Sequence, residues 1–270
     1  MTGVAAADRL LPSHVRAHLA TRAFGQRLFY YTEIGSTNDA ARALAVCGEA
    51  EGTVVYSDYQ RLGRGRGARR WLSPPGRDLL FSLVLRPRGE PRSALPLTLA
   101  VAAAAAAELS RHTGAEVGVK WPNDLICGGR KLAGILAEAA VRPGGTAWAV
   151  VGMGLNVNAA AGELDPSLRQ TATTCRILRG APLERARLFA GLLAAIETAY
   201  ERFRAEGFGA LVASYSARHV LSGRAVRYAR DGVPRVADVL GVASDGALAV
   251  RERGSGEAHK LYSEEIEVTA

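Results

Sequence analysis

The sequence predicts an α+β fold in which a sheet with flanking helices is followed by a small β-barrel. Three observations lead to this prediction. Short runs of alternating or β-branched apolar residues recur before Leu221 and indicate strands. Two long apolar stretches, residues 95–112 and 183–206, are typical of helices. After Leu221 the chain changes to short alternating strands, separated by hairpin turns that contain glycine.

Local signals place the individual elements. A Gly-Ser-Thr-Asn turn at residues 35–38 precedes a helix at 39–46, which Thr37 or Asn38 is expected to cap. Gly114 is expected to end the helix at 95–112 as its C-cap. The strands share alternating or β-branched apolar residues and are predicted at 28–33, 53–58, 79–85, 117–121, 131–141, 148–157, 225–229, 235–242, 247–252 and 259–262.

The pattern divides the chain into three parts. Residues 1–27 are predicted to be a helical lead-in, with its helix at 10–23, that is too short for a three-helix DNA-binding domain. Residues 28–221 form the main domain and residues 222–270 the small barrel. No segment reaches the roughly 18–20 apolar residues that a membrane span needs, and residues 1–11 lack a secretory signal pattern. A cytoplasmic protein is therefore expected.

The basic charge of the chain is concentrated in one place. The net charge is +8, from 34 basic and 26 acidic residues, and five arginines lie between Arg61 and Arg70. A single basic loop on a nearly neutral body suits a polyphosphate ligand better than a long nucleic-acid track. The three cysteines contain no CxxC pair, which argues against a disulfide framework or a zinc knuckle.

Rare residue types mark candidate functional positions. Only three of the 34 basic residues are lysine, and only four asparagines occur in the whole chain. Lysine brings a compact charge close to one oxygen, whereas arginine is a planar fork. Lys120, Lys131 and all four asparagines lie in a few short polar segments. Asn38 and Asn158 also suit simple caps or turns.

The first polar segment is the arginine loop, residues 63–71, with the sequence Gly-Arg-Gly-Arg-Gly-Ala-Arg-Arg-Trp. Glycine lets backbone N–H groups approach an anion, and arginine adds bidentate contacts to phosphate or carboxylate. Because the cations repel one another and nothing apolar anchors them, a mobile loop that orders over its ligand is predicted. For this segment alone, a solvated basic loop or an RNA-binding tract is an equal alternative.

The second segment, Lys-Trp-Pro-Asn-Asp at residues 120–124, ends a predicted strand. Asn123 and Asp124 are expected at a turn that faces a cleft. Lys120 is a candidate partner for phosphate, and Asp124 is a candidate to bind magnesium or to orient a lysine. An ordinary Asn-Asp turn beside a buried tryptophan is the alternative.

The remaining two segments lie on the central hairpin. Lys131 opens an apolar strand and can point into a pocket, although an ordinary hairpin lysine fits equally well. Gly152 and Gly154 leave one face of the strand without side chains, which would allow a planar ring to approach closely. Asn156 can offer a donor and an acceptor together to an adenine edge.

Taken in this order, the segments resemble the biotin protein ligases. The landmarks are Ser-Thr-Asn at 36–38, Gln60 before the arginine loop, Lys-Trp-Pro-Asn-Asp at 120–124, Lys-Leu-Ala-Gly-Ile-Leu at 131–136 and Gly-x-Gly-x-Asn at 152–156. The loop departs from the family pattern, because Gly67 precedes Ala68 where the family has its glycine one position later. The resemblance implies a mixed or antiparallel sheet like that of class II aminoacyl-tRNA synthetases and biotin ligases, with an SH3-like barrel at 222–270.

The resemblance also implies an activity, that of a biotin–[biotin carboxyl-carrier protein] ligase. Biotin's carboxylate attacks the α-phosphate of ATP, giving biotinyl-5'-AMP and pyrophosphate. A lysine of a carrier protein or domain, such as that of acetyl-CoA carboxylase, then attacks the activated carbonyl. Mg²⁺ is expected with ATP, without assigned ligands. The monofunctional type is implied, with no DNA binding and no membrane contact, and a homodimer is left open.

The site residues implied by the resemblance fall into two groups that share Arg66 and Lys131, the catalytic candidates. Those for biotin are Ser36, Thr37, Asn38, Gln60, Gly63, Arg64, Gly65, Arg66 and Lys131. Those for ATP and the adenylate are Arg66, Arg69, Trp71, Lys120, Asn123, Asp124, Lys131 and Asn156. Lys131 is the candidate bridge between carboxylate and phosphate, because two anions must approach each other there.

Two other functions compete with this interpretation. A nucleic-acid-binding module could use the arginine loop and the barrel, and would predict salt-sensitive binding without any need for Lys131. It does not explain why the asparagines gather in the same segments as the lysines. A lipoate or octanoyl ligase of the same architecture would need a wider acyl tunnel.

Overall fold

The computed structural model describes residues 9–87, 94–142, 145–230, 232–262 and 264–269, and contains two sheets. The larger sheet has the order β1-β2-β3-β7-β6-β5-β4; only the β1–β2 pair is parallel. Its strands are β1 (Leu28–Tyr31), β2 (Val54–Ser57), β3 (Leu79–Leu85), β4 (Gly118–Lys120), β5 (Asp124–Cys127), β6 (Arg130–Arg142) and β7 (Gly145–Leu155). The mixed sheet with flanking helices predicted from the sequence is confirmed.

Helices cover both faces of this sheet. The α-helices are α1 (Pro12–Arg16), α2 (Thr37–Val46), α3 (Leu95–Thr113), α4 (Cys175–Arg179), α5 (Arg185–Glu206) and α6 (Val212–Ser216). The long helices α3 and α5 pack together over one face and enclose the main core. Helix α2 covers part of the opposite face, with a small cluster that includes Ala41, Val84 and Val150. None of the helices in the described ranges is long and apolar enough to span a membrane.

The smaller sheet is antiparallel, with the order β11-β10-β9-β8-β12. Its strands are β8 (Ala225–Arg230), β9 (Val233–Val242), β10 (Leu248–Glu252), β11 (Ala258–Leu261) and β12 (Ile266–Val268). Its apolar face merges with the core of the main unit. Trp121, which is 1% exposed, donates its indole N–H to the carbonyl of Gly246 at 3.0 Å and so joins the two units.

Two local predictions, the cap of α2 and the set of strands, were wrong or incomplete. The cap of α2 is Ser36, because the side chains of Thr37 and Asn38 bond to Gln60, Glu138 and neighbouring groups instead of to the helix end. The prediction missed two short strands, β5 and β12. By contrast, Gly114 ends α3 in the left-handed conformation, as expected.

The lead-in helix is also shorter than the predicted range 10–23, since it spans only Pro12–Arg16. The buried carboxylate of Glu197 in α5 accepts the backbone N–H groups of Arg22, Ala23 and Phe24 at 2.7–2.8 Å. Those N–H groups are therefore bound to a distant helix and are not available to extend α1. Residues 1–8 of the lead-in lie outside the described residues.

We expect Glu197→Ala to destabilise the fold strongly. Three backbone donors would lose a charged acceptor, and hydrogen bonds to charged groups contribute about 1.5–3 kcal/mol each, so a loss of about 3 kcal/mol or more is expected. Urea unfolding measures this change. Glu201→Ala is the control, because Glu201 lies exposed on the same helix. Equal unfolding midpoints for the two variants would contradict the role of Glu197.

A second expected effect concerns Asp78, which is 1% exposed and accepts the N–H of Val157 and the hydroxyl of Ser73. Burial raises the pKa of Asp78 to about 6, although both hydrogen bonds oppose the shift. The folded state therefore keeps a proton that the unfolded chain loses near pH 4. Stability from this group is complete below about pH 4 and is lost as the pH rises through about 6.

We expect Asp78→Asn to remove this pH dependence, because the amide stays neutral and keeps the same shape. Relative to the wild type, the variant should gain up to about 3 kcal/mol between pH 4 and pH 7, since one pKa unit corresponds to about 1.4 kcal/mol. Urea midpoints measured across this range test the effect. A constant difference between the two proteins would show that Asp78 titrates normally.

Candidate active site

A cavity lies on the α2 side of the large sheet, where the sheet face changes from valine to smaller residues. Three rows of paired residues cross β3, β7 and β6 on this face. In strand order they are Val84–Val150–Glu138, then Ser82–Gly152–Leu136, then Leu80–Gly154–Gly134. Helix α2 packs on the first row. The cavity, of about 280 Å³, opens over the second and third rows.

The cavity brings most of the predicted site residues together. Every one of them lines it except Gly63 and Lys120. Gly63 lies at the base of the arginine loop, where an added Cβ would be 2.6 Å from the carbonyl oxygen of Trp71. Lys120 is half-buried at the end of β4, paired in register with Asp124. A role for Lys120 at the cavity is therefore not supported by its position.

Two glycines on β7 allow close contacts that larger residues would block. A Cβ on Gly152 would lie 1.8 Å from Oδ1 of Asn38. A Cβ on Gly154 would lie 2.4 Å from the indole ring of Trp71. The close approach of a planar ring predicted for this face is therefore found at Gly154, where the ring belongs to Trp71, whereas Gly152 makes room for the amide of Asn38. The small residues allow polar and aromatic side chains to lie directly against the sheet.

One end of the cavity, here called the amide end, is built from residues 36–38, Gln60 and Ser82. The Oε1 atom of Gln60 accepts the N–H and the hydroxyl of Thr37 at 2.7 and 3.0 Å. Ser82 Oγ lies 2.8 Å from Thr37 Oγ1 and 2.6 Å from Asn38 Oδ1. Ser36, Thr37 and Asn38 are all at most 5% exposed. The network holds these groups rigidly around a narrow polar pocket.

The opposite end, here called the cation end, contains Lys131, Asp124 and Asn156. Lys131 Nζ lies 2.7 Å from Asp124 Oδ1 and 5.7 Å from the centre of the Trp71 ring. Asn156 is 5% exposed, and its Nδ2 donates to the carbonyl of Thr173 at 3.0 Å. Within the described part of the chain, the buried indole N–H of Trp71 has no hydrogen-bond partner. This end offers a cation, an amide and an unused donor.

Asn123 connects the cation end to the middle of β6. Its side-chain Nδ2 donates to the backbone carbonyl of Ile135 at 3.0 Å, and its backbone carbonyl accepts the N–H of Ile135 at 2.9 Å. The carboxylate of Asp78 holds the N–H of Val157, the residue after Asn156. These bonds fix the backbone on both sides of the cavity floor.

The arginine loop folds over the cavity as a short antiparallel ribbon. Gly65 N–H donates to the carbonyl of Arg69 at 2.8 Å, and Trp71 N–H donates to that of Gly63 at 3.0 Å. Gly67 occupies the turn with a φ of 65°, a conformation that favours glycine. The shifted glycine of this chain therefore supplies the left-handed residue at the tip of the loop.

Carboxylates pair with cations of the loop and so offset their mutual repulsion. Arg64 lies against both Glu138 and Asp39, at 2.7 and 3.0 Å. Arg69 pairs with Glu265 of the smaller sheet at 2.8 Å. The sequence argument considered only repulsion within the loop and did not foresee these partners. The mobility predicted for the loop stays a prediction.

Ser82 and Glu138 are site residues that the sequence argument missed. Each interrupts an otherwise apolar alternation on a central strand, and this was the available signal. The rule that strand residues alternate between faces could have placed both residues on the same face as Gly152. It could not have shown that Asn38 comes from α2 to meet them.

The charges that line the cavity favour an elongated anionic ligand. Arg66, Arg69, Arg70 and Lys131 line it together with one acidic residue, Asp124, among the described residues. Cations in a partly closed site stabilise phosphate or carboxylate more strongly than they do in open water. Clusters of three or more potential metal ligands are absent from the described part of the chain.

Comparison with known proteins agrees with this arrangement. The profile of the Biotin/lipoate A/B protein ligase family matches residues 33–158. The chain is 30% identical over 260 residues to the bifunctional ligase/repressor BirA of Bacillus subtilis, covering 96% of this chain and 79% of the relative. It is 35% identical to the biotin–[acetyl-CoA-carboxylase] ligase of Mycobacterium tuberculosis, covering 88% of each chain.

Solved structures show the same fold. The biotin protein ligase of Aquifex aeolicus, in complex with biotin and ATP, superimposes with a TM-score of 0.77 at 23% identity. The match covers 90% of this chain and all of that one, so it includes both sheets. The sequence relatives, with the landmarks gathered around one cavity, establish that this chain belongs to the biotin protein ligases of the Biotin/lipoate A/B protein ligase family.

Proposed function

We propose that this protein is an ATP-dependent ligase that activates biotin as biotinyl-5'-AMP and transfers it to a lysine of a biotin carboxyl carrier protein or domain, such as that of acetyl-CoA carboxylase. The observation that carries the proposal is that one cavity contains both a rigid amide end and a cation end. Biotin has a planar polar ring at one end and a carboxylate at the other. Its two ends therefore match the two ends of the cavity.

The amide end receives the biotin ring. Gln60 uses its Oε1 to hold Thr37, which leaves its Nε2 group to donate to the ligand. Ser36 and Asn38 flank the ring, and Gly152 leaves the space that the ring and Asn38 need. The backbone of Gly63 and Gly65 and the side chains of Arg64 and Arg66 close this end from above.

Adenylation joins two anions, and the cation end supports that step. A carboxylate oxygen of biotin forms a bond to the α-phosphorus of ATP, while the bond from this phosphorus to pyrophosphate breaks. Lys131 leaves Asp124 and bridges the attacking carboxylate and the α-phosphate. Arg66 and Arg69 offset the charge of the phosphates. Such preorganised cations stabilise the charge of the transition state more than that of the separate reactants.

The nucleoside occupies the space beside Trp71 and Asn156. The Oδ1 atom of Asn156 can accept from the exocyclic amine of adenine, because its Nδ2 already donates to Thr173. The indole N–H of Trp71 has no hydrogen-bond partner among the described residues and can donate to a ligand oxygen. Asn123 supports this end through its bonds to Ile135.

In the transfer step, a carrier lysine attacks the carbonyl carbon of the mixed anhydride as a neutral amine. The new amide bond forms as the carbonyl–oxygen bond to AMP breaks, and the nitrogen releases its proton to solvent. Water would destroy the same anhydride. The arginine loop covers the cavity, and this cover favours transfer over hydrolysis.

A magnesium ion bound with ATP fits the donor set at the cation end. Asp124 is the carboxylate available there, and one carboxylate plus phosphate oxygens is a common arrangement for Mg²⁺. The ion would reduce the negative charge of the phosphates.

We further propose that the smaller sheet closes as an SH3-like barrel and that residues 222–270 form a domain distinct from 28–221. In its favour, four strands follow one another as a meander and the last strand returns beside the first. Glu265 reaches Arg69 from this domain, which suggests a role in holding the arginine loop. Residues 231, 263 and 270 lie outside the described residues.

We also propose that the protein does not bind DNA. Outside the arginine loop the chain is nearly neutral, which supports the proposal that it does not bind DNA. The cytoplasmic location and the homodimer stay predictions. Sedimentation with and without biotin and ATP tests the homodimer.

The proposed function predicts pyrophosphate release that requires biotin, ATP and magnesium. Lipoate or octanoate in place of biotin should give none, and this result separates the proposal from a lipoate or octanoyl ligase. Lys131→Ala should slow the release about 100-fold or more, by analogy with the loss of one preorganised donor to an oxyanion. The rate of the first turnover measures this effect.

The control for Lys131 is Lys260→Ala, because Lys260 is exposed and pairs with Asp245 on the smaller sheet. This variant should retain the wild-type rate. If Lys131→Ala adenylates biotin as fast as this control, the assignment of Lys131 is wrong. Salt-sensitive RNA or DNA binding without pyrophosphate release would favour the nucleic-acid alternative.

A separate expectation concerns Gly152, which makes room for Asn38. In Gly152→Ala the new methyl group would lie 1.8 Å from Asn38 Oδ1, so the asparagine must leave the amide end. Biotin affinity should fall about 10-fold or more, because buried polar groups of the pocket lose their partners. ATP affinity should stay near the wild-type value. Calorimetric titration with each ligand measures both affinities.

The matched control is Gly162→Ala, where an added Cβ meets nothing within 4 Å. A parallel fall in biotin and ATP affinity for Gly152→Ala would mean that the substitution disturbs the whole sheet and not the amide end alone.

A further inference from the structure

One carboxylate joins the arginine loop to the amide end of the cavity. Glu138 Oε1 and Oε2 accept from the two terminal nitrogens of Arg64 at 3.2 and 2.7 Å. Glu138 Oε2 also accepts from Nδ2 of Asn38 at 3.0 Å. Asn38 and Arg64 therefore share the same partner, although one belongs to α2 and the other to the loop.

The setting of Glu138 distinguishes it from an ordinary surface ion pair. It lies in the row with Val84 and Val150, and its side chain is 27% exposed. Isolated surface ion pairs contribute little, but a bidentate arginine–carboxylate pair has defined geometry and is stronger. The additional bond to Asn38 fixes the carboxylate from a third direction.

Glu138 is too far from the cation end to touch the reacting atoms. Lys131 Nζ lies beside Gly134, 3.3 Å from where a Cβ on that glycine would be. Glu138 follows Gly134 by four residues, which corresponds to about 13 Å along an extended strand. Any effect on the reaction must therefore pass through Arg64 and Asn38.

We propose that Glu138 is a positioning residue that keeps the arginine loop closed over the amide end by holding Arg64 and Asn38 together. This inference rests on the proposed function. A ligand that orders Asn38 also orders Glu138 and, through it, Arg64. Occupation of the amide end and closure of the loop are then coupled, and the activated intermediate is retained until the carrier arrives.

Asp39 provides the matched control. It also pairs with Arg64, at 3.0 Å, and comes from the same helix turn as Asn38. Asp39 and Asn38 are not joined by a hydrogen bond among those described for these residues, so Asp39→Asn weakens the anchoring of Arg64 without breaking the link. Glu138→Gln keeps one side-chain oxygen, which can still accept from Asn38. The new amide nitrogen cannot accept a hydrogen bond, so Arg64 either faces this nitrogen or keeps only one of its two bonds to residue 138.

The first experiment measures how fast labelled biotinyl-5'-AMP escapes from the preformed complex during a chase with unlabelled biotin. Glu138→Gln should raise the escape rate about 10-fold or more, since it breaks a charge-assisted pair. The first burst of pyrophosphate should stay within about threefold of wild type, because the cation end is intact. Asp39→Asn should raise the escape rate clearly less. Thermal melting confirms that each variant is folded.

A double-mutant cycle tests whether Glu138 acts through Arg64. If it does, Glu138→Gln added to Arg64→Gln should cause little further increase in escape. Additive effects, or wild-type retention by Glu138→Gln, would overturn the inference. So would an equal loss of burst rate and retention, which is the result expected from general structural damage.

A second readout needs no ligand. Hydrogen exchange at the amides of Gly65 and Trp71, which close the loop ribbon, should accelerate in Glu138→Gln and much less in Asp39→Asn. If the wild-type protein forms no biotinyl-5'-AMP, the proposed function is wrong. The exchange rates would still test whether Glu138 holds the arginine loop closed. Unchanged exchange in Glu138→Gln would overturn this role of Glu138.

Discussion

The site depends on the close approach of side chains to one cleared face of the central sheet. Ser82 and Gly152, one row from the valines Val84 and Val150, and Gly154, two rows from them, leave this part of the same face open. Asn38 and Trp71 occupy the space that a Cβ would fill at the two glycines. Without these small residues, the side chains of Asn38 and Trp71 could not lie against the sheet, and the amide and cation ends would not share one cavity.

Cations of the site are paired with carboxylates, which offset their mutual repulsion. Arg64, Arg69 and Lys131 each have a carboxylate within 3.0 Å. Each pair lowers the cost of collecting cations in one place, and each can exchange its carboxylate for a ligand oxygen. The exchange matters most for the Lys131–Asp124 pair, because this pair lies at the end of the cavity where the ATP phosphates are proposed to bind.

The arginine loop connects parts of the molecule that are distant in sequence. Arg64 binds Glu138 of β6, Arg69 binds Glu265 beyond the main unit, and Trp71 lies on Gly154 of β7. These contacts give a ligand-covering segment defined anchors on both sheets. Together with the bond from Trp121 to Gly246, they make the smaller sheet part of the support of the site.

The sequence by itself determined the kind of elements and the chemistry of the site. Short apolar runs predicted the strands at 79–85, 117–121, 131–141 and 148–157, although not β5 between them. The rare lysines and asparagines marked segments that line the cavity. Periodicity reports the face of a strand or helix, and residue type reports which bonds a side chain can make. Neither reports the distant partner that a polar group will choose.

Only the tertiary structure decided those partners. Glu197 took the N–H groups that the predicted lead-in helix would have used, and Thr37 and Asn38 bonded across to Gln60 and Glu138 instead of capping α2. The carboxylates that pair with the arginine loop come from three separate parts of the chain. Which carboxylate pairs with which arginine depends on the segments that the packed sheet brings within hydrogen-bond distance. The local sequence does not determine that distance.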